Sequence, residues 1–152
     1  MIADLLIAAA ISFLPLLELR GGILYAVAKG VPLLPTFIVC VIVNSLVTLF
    51  VFMSLDLFHS RLVMWDFYRK NFDRYVERNR VKLEKHIGTK YEMAFLALFT
   101  AIPLPLTGAY TAAILAWVFG LKRMRSFVAI SIGVFIAGII VSLTAMGIIH
   151  LL

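Results

Sequence analysis

The stretch PLLELRGGIL, residues 15–24, decides how this chain folds. It sets an acid, Glu18, and a base, Arg20, inside an apolar segment that runs from about residue 2 to residue 29. A charged side chain at the centre of a membrane helix costs roughly 2.5–3.5 kcal/mol on insertion scales, so such residues pair, or face water or substrate. Proline removes a backbone donor and clashes with the turn before it. Pro15, Gly21 and Gly22 are therefore expected to break the segment. Each half is then on the order of 10–15 residues, about half a bilayer in length.

The composition around that stretch demands lipid. The chain has 152 residues, 63% hydrophobic and 14% charged, with mean hydropathy +1.06. Soluble domains carry about 25% charged residues, and a core of this size cannot hide the apolar excess. The reading is an all-α integral membrane protein, multi-pass in the cell membrane, with membrane lipids as its first partners. Residues 1–152 form one membrane domain: a first unit over 1–55, a charged connecting block over 56–92 and a second unit over 93–152.

Four apolar blocks carry the two units, at about 2–29, 33–55, 93–120 and 126–152. The second and fourth are long enough to span, since about 20 helical residues match a hydrocarbon core near 30 Å. The third is interrupted like the first, by Pro103, Pro105 and Gly108 in AIPLPLTGAYTAA, residues 101–113. Each interrupted block is either a kinked spanning helix or a re-entrant hairpin that enters and leaves on one face. Charge favours the hairpin. Nine of the fourteen Lys and Arg lie between Arg61 and Lys90, and three more are Lys122, Arg123 and Arg125. Only a hairpin over 93–120 returns those last three to the side of the central block, as the positive-inside rule asks. The net charge of +6 is then a topology signal, and no nucleic-acid partner is expected.

The halves also echo one another. Shifting by 90 residues puts Pro15 on Pro105, Ala26 on Ala116, Gly30 on Gly120 and Phe37 on Phe127. Each unit would cross once, so the expected architecture is two re-entrant broken-helix hairpins plus two spanning helices in an inverted repeat, with binding near the midplane. The central block places Trp65, Tyr68, Phe72 and Tyr75 at helical spacing among Arg69, Lys70, Arg74 and Arg78. That is a basic amphipathic connecting helix lying on the interface.

Chemistry-bearing residues are few. Glu18 is the candidate proton carrier. Arg20, whose fork suits carboxylate and phosphate, is the candidate anion ligand. Thr107 and Tyr110 stand at the second break, where the start of a half-helix would offer its positive end. Asn44, within the second block, is a candidate wall residue of the substrate site, or else bonds a neighbouring helix. There is no GxSxG, HExxH or GxxxxGK[ST] motif, and the single cysteine, Cys40, has no metal-ligand spacing. No enzyme activity, cofactor or metal is expected.

P-x-x-E-L-R-G-G-I at residues 15–23 and A-I-P-L-P-L-T-G-A-Y-T-A-A at 101–113 resemble the small multidrug export protein family, with its P-x-S-E-L-R-G-A-I-P and A-I-P-L-P-G-T-G-A-W-T-G-A motifs. Leu17, Gly22 and Leu24 depart from the first motif, and Leu106, Tyr110 and Ala112 from the second. The acid, the arginine and the P-L-P-x-T-G core remain. The layout is similar to the wider DedA/VTT superfamily, although the second hairpin lacks the arginines of that group. The resemblance implies proton-dependent transport or lipid translocation through two facing hairpins. Glu18 and Arg20 would serve the first tip, and Pro103, Pro105, Thr107 and Gly108 the second. The expected function is a transporter or lipid-carrier translocase for a small amphipathic or anionic substrate, with a homodimer packed through small residues from Gly133 to Gly138. The alternative is a structural or regulatory membrane protein acting through its basic interfacial helix.

Overall fold

The computed structural model of the protein describes residues 1–62, 90–102 and 107–151. All its described regular structure is helical: α1 (Ile2–Phe13), α2 (Glu18–Ala28), α3 (Leu33–Leu62), α4 (Lys90–Ala101), α5 (Ala109–Val118) and α6 (Arg123–Leu151). Two are long and apolar enough to cross a membrane. The windows Leu33–Phe58 and Arg123–Gly147 have mean hydropathy 2.5 and are only 33% and 44% buried. More than half of each window therefore faces outward, with Leu34, Ile42, Met53, Ile132 and Leu143 exposed. A core helix of a soluble protein would hide these side chains, whereas hydrocarbon accepts them.

The first break forms where proline requires it. The Leu14 amide closes the end of α1 on the Ile11 carbonyl, Pro15 has no amide to continue, and the Glu18 amide resumes the bonding on the Leu14 carbonyl at 2.9 Å. Gly21 and Gly22 do not break anything. Both lie inside α2, and their expected role as helix breakers is corrected to close packing. A Cβ on Gly22 would overlap the Ser12 hydroxyl of α1, and one on Gly21 would stand 2.9 Å from the Ile11 side chain. Without side chains there, α1 and α2 lie flat against each other, as small residues allow in lipid. Pro103 and Pro105 lie outside the described residues, as does the basic segment from 63 to 89. The connecting block begins later than the sequence suggested, because α3 continues through Asp56 to Leu62.

The ninety-residue echo has a physical cause at the turns into the long helices. Val31 bonds the Ala26 carbonyl, and Leu121 bonds Ala116, each at 2.9 Å; Gly30 bonds Val27, and Gly120 bonds Trp117, each at 3.0 Å. Gly30 (φ 72) and Gly120 (φ 64) adopt the left-handed conformation that closes a helix in this double-bonded cap. Among the described residues no atom lies within 4 Å of either missing Cβ, so the requirement is conformational. Gly30→Ala and Gly120→Ala should each lower stability by about 1 kcal/mol, the left-handed penalty for an L-residue. Unfolding of the detergent-solubilised protein checks this, and a wild-type value for either variant would rule out that turn.

Helix directions follow from side-chain contacts. Asp56 of α3 pairs with Arg123 at the start of α6. Phe37, near the other end of α3, stacks edge-on with Phe135 and faces Gly138. The two long helices are therefore antiparallel. Met93 and Ala94, at the start of α4, share a groove with Met124 and Arg125 at the start of α6. Further along, Gly133 meets Ala97 and Thr100. Thus α4 runs parallel to α6, while α5 turns tightly into α6 and runs back along it. The start of α4 and the end of α5 lie at the same end of α6, so this pair folds back on itself. Gly133 and Gly138 pack within the chain, against α4 and α3. A homodimer would need another face than the one anticipated.

Candidate functional site

The two breaks meet, and each supplies the groups the other lacks. A helix end leaves amides or carbonyls without intrahelical partners, and in lipid no water is there to satisfy them. At the start of α5, Gly108 is the N-cap and offers no side-chain cap. Instead the Glu18 carboxylate crosses from the other break and accepts hydrogen bonds from the backbone amides of Ala109 and Tyr110. A Cβ on residue 108 would fall on that carboxylate. At the end of α4, the Ile102 carbonyl accepts from the Arg20 guanidinium at 3.2 Å and from the Thr107 hydroxyl at 2.8 Å. At the end of α1, the Phe13 carbonyl accepts from the Tyr110 hydroxyl.

The electrostatics are complementary throughout. An anion, Glu18, sits at a positive helix start, and a cation, Arg20, sits at a negative helix end, the arrangement the helix dipole favours. Glu18 also lies within the charge field of Arg20. It is 7% exposed, and its φ of 50 is the only positive value at a described non-glycine residue. A left-handed non-glycine costs roughly 1–2 kcal/mol, and strain of this kind persists only where surrounding contacts over-determine it. Here those contacts are the two amide bonds across the break.

Asn44 reaches the same depth from α3. Gly22 of α2 faces the Cys40 sulfur of α3, and the tight turn makes these helices antiparallel. One turn back from Gly22 is Glu18, and one turn on from Cys40 is Asn44, on the same face. Asn44 is 1% exposed and stands near the middle of the Leu33–Phe58 window. Glu18, Arg20, Thr107 and Tyr110, each selected from sequence, thus stand around one crossing point, and Asn44 lies level with it on α3. Pro15 and Gly108 lie in the breaks themselves.

Sequence reasoning missed three groups. The Phe13 and Ile102 carbonyls matter only because helices end there. Thr48, one turn beyond Asn44 and fully buried, could have been found from that i,i+4 spacing. At the far end of α5, Trp117 and Arg123 both donate to Asp56, at 2.9 and 2.8 Å. That cluster ties the turn between α5 and α6 to the end of α3.

A family model described as "Putative small multi-drug export protein" matches residues 18–140, a stretch that begins at Glu18 and contains both Arg20 and the second break. No curated protein and no solved structure matches the chain.

Proposed function

The chain belongs to the small multidrug export family, and from that premise we propose that it is a small proton-coupled membrane transporter or lipid-carrier translocase. The observation that carries the reading is the crossing itself. An acid, an arginine and opened helix ends converge beside the middle of two long apolar helices. Structural needs alone would be met more cheaply by apolar packing, because buried charge pairs contribute little to stability after desolvation. Discontinuous helices whose ends face a midplane site are a transporter pattern.

In this reading α1 with α2 and α4 with α5 are re-entrant hairpins, and α3 and α6 are the spanning helices of an inverted repeat in the cell membrane. The shared turn geometry at Gly30 and Gly120 and the antiparallel long helices support it. The basic residues near the start of α6 lie on the cytoplasmic side. Glu18 takes up and releases a proton. Arg20 and the start of α5 hold a small amphipathic or anionic substrate. Lipids surround the protein, and a homodimer would contact through outward faces of the long helices.

Proteoliposomes under an imposed proton gradient test this, with 8-anilinonaphthalene-1-sulfonate as the amphipathic anion. Wild-type vesicles should accumulate the dye, and Glu18→Gln vesicles should behave like protein-free ones. Full uptake by Glu18→Gln would end the proton-carrier role. Single cysteines at positions 90 and 125, placed after Cys40→Ala, should label from the same side of intact membranes. Labelling from opposite sides would replace the second hairpin by a kinked span.

A further inference from the structure

The start of α5 is built to hold an anion, and the group found there belongs to the protein. Two backbone amides, those of Ala109 and Tyr110, donate to Glu18, and Gly108 leaves room for its oxygens. The amides are oriented at a helix start of ten residues, a geometry that accepts carboxylate, sulfate or phosphate alike.

A second observation points to a ligand larger than a carboxylate. Both amide atoms of Asn44 and the hydroxyl of Thr48 are buried without a hydrogen-bonding partner among the described residues. Asn44 is 1% and Thr48 0% exposed. A native buried polar group without a partner calls for an explanation, and leaving one unsatisfied costs about 1–3 kcal/mol. Asn44 is level with Glu18, as the Gly22 and Cys40 contact fixes. Phe50 meets Phe13 edge to face, and the Phe13 carbonyl takes the Tyr110 hydroxyl. Thr48, two residues before Phe50, therefore lies close to the depth at which α5 begins. Both side chains continue the face of α3 that bears Cys40, towards the crossing.

We propose that Glu18 is a tethered competitor: its carboxylate occupies the subsite of an anionic substrate group, which binds by displacing it from the start of α5. The incoming carboxylate or phosphate takes the Ala109 and Tyr110 amides and the Arg20 guanidinium. The Asn44 amide and Thr48 hydroxyl donate to its remaining oxygens. The proposal deepens the transporter reading and rests on it only in taking the bound anion for the substrate. Coupling then needs no separate device. While Glu18 is charged, it balances Arg20 and the helix end. Once protonated it no longer competes, and the site is left positive for an anion. Among the described residues, the titratable groups set against Glu18 are Arg20 from its own helix and Tyr110 from α5; one turn along α2, Gly22 faces the Ser12 hydroxyl of α1 and the Cys40 thiol of α3.

The experiment measures binding and not transport. The full chain in a neutral detergent, at constant pH and ionic strength, is titrated with inorganic phosphate and, separately, with dihexanoyl phosphatidic acid. Glu18→Ala should bind at least one of them about tenfold more tightly than wild type, the gain expected if Glu18 holds the site nine-tenths of the time. Tightening for phosphate marks a free anion as the ligand; tightening for the lipid alone marks a headgroup. Glu18→Gln, closer in shape, gives the same reading where Glu18→Ala folds poorly. The gain should vanish on adding Asn44→Leu with Thr48→Val. Equal or weaker binding by both Glu18 variants would overturn the proposal, as would a gain that survives loss of Asn44 and Thr48. If that happens while Glu18→Gln still abolishes dye uptake, the competitor falls and the transporter reading stands. Tighter binding with dye uptake intact leaves the competitor and removes the proton carrier.

Discussion

Gly108→Ala is expected to destabilise the protein by about 3 kcal/mol and to abolish transport, although it adds one methyl group. Its backbone (φ −105, ψ −166) is open to any residue, so no conformational penalty contributes. The whole effect is steric. The new Cβ falls on the Glu18 carboxylate, which must leave the start of α5. Hydrogen bonds to a charged group are worth about 1.5–3 kcal/mol each, and two are lost. The amides of Ala109 and Tyr110 are left without their acceptor, where lipid offers no replacement. The left-handed backbone at Glu18 also loses the contacts that hold it. A double-mutant cycle separates this account from general disruption. Adding Gly108→Ala to Glu18→Ala should cost less than about 1 kcal/mol, because the side chain that clashed is gone. An undiminished cost in that background would show that Gly108 serves the helix turn and not the carboxylate.

That asymmetry explains what could be read in the sequence. Pro15 announced its break because the missing amide is a local property of one residue. The long apolar helices α3 and α6 were equally legible, since length and hydropathy need no partner. The matching turns showed through Gly30 and Gly120 because the left-handed cap at each selects glycine. Gly21 and Gly22 misled for the opposite reason. In water a glycine pair weakens a helix, whereas between helices in lipid it sets their approach. Nothing local to residue 18 says that its carboxylate will cap a helix starting at residue 109. That contact exists only because α3 and α6 pack antiparallel and bring the two breaks to the same depth. The same packing brings Arg20 to the Ile102 carbonyl, 82 positions along the chain. Asp56 looked like the first residue of a charged connector, yet it lies inside the apolar window of α3, where Trp117 and Arg123 meet its carboxylate.

Arg20→Ala should cost about 2 kcal/mol, less than the 3–5 typical of breaking a fully buried pair, because Arg20 is only half-buried. Two losses add. The Ile102 carbonyl keeps Thr107 but loses the cation at the negative end of α4. Glu18, held in place by the amides of α5, loses the charge that offsets its burial. Arg20→Lys should recover little of this, since an ammonium cannot present the planar fork that reaches past Glu18 to the carbonyl. The second loss disappears when Glu18 is uncharged, so Arg20→Ala in a Glu18→Gln background should cost about 1 kcal/mol, near the value of a single hydrogen bond. Denaturant unfolding of the four proteins in the same micelles reads both numbers. A cost for Arg20→Ala that is the same with Glu18 or Gln at position 18 would mean the two charges are not coupled. In that case Arg20 acts only as a cap on α4. A coupled result means that whatever neutralises Glu18 also loosens Arg20 from the end of α4. The two breaks would then part together, and a change of charge on one side chain would become a movement of two helix pairs.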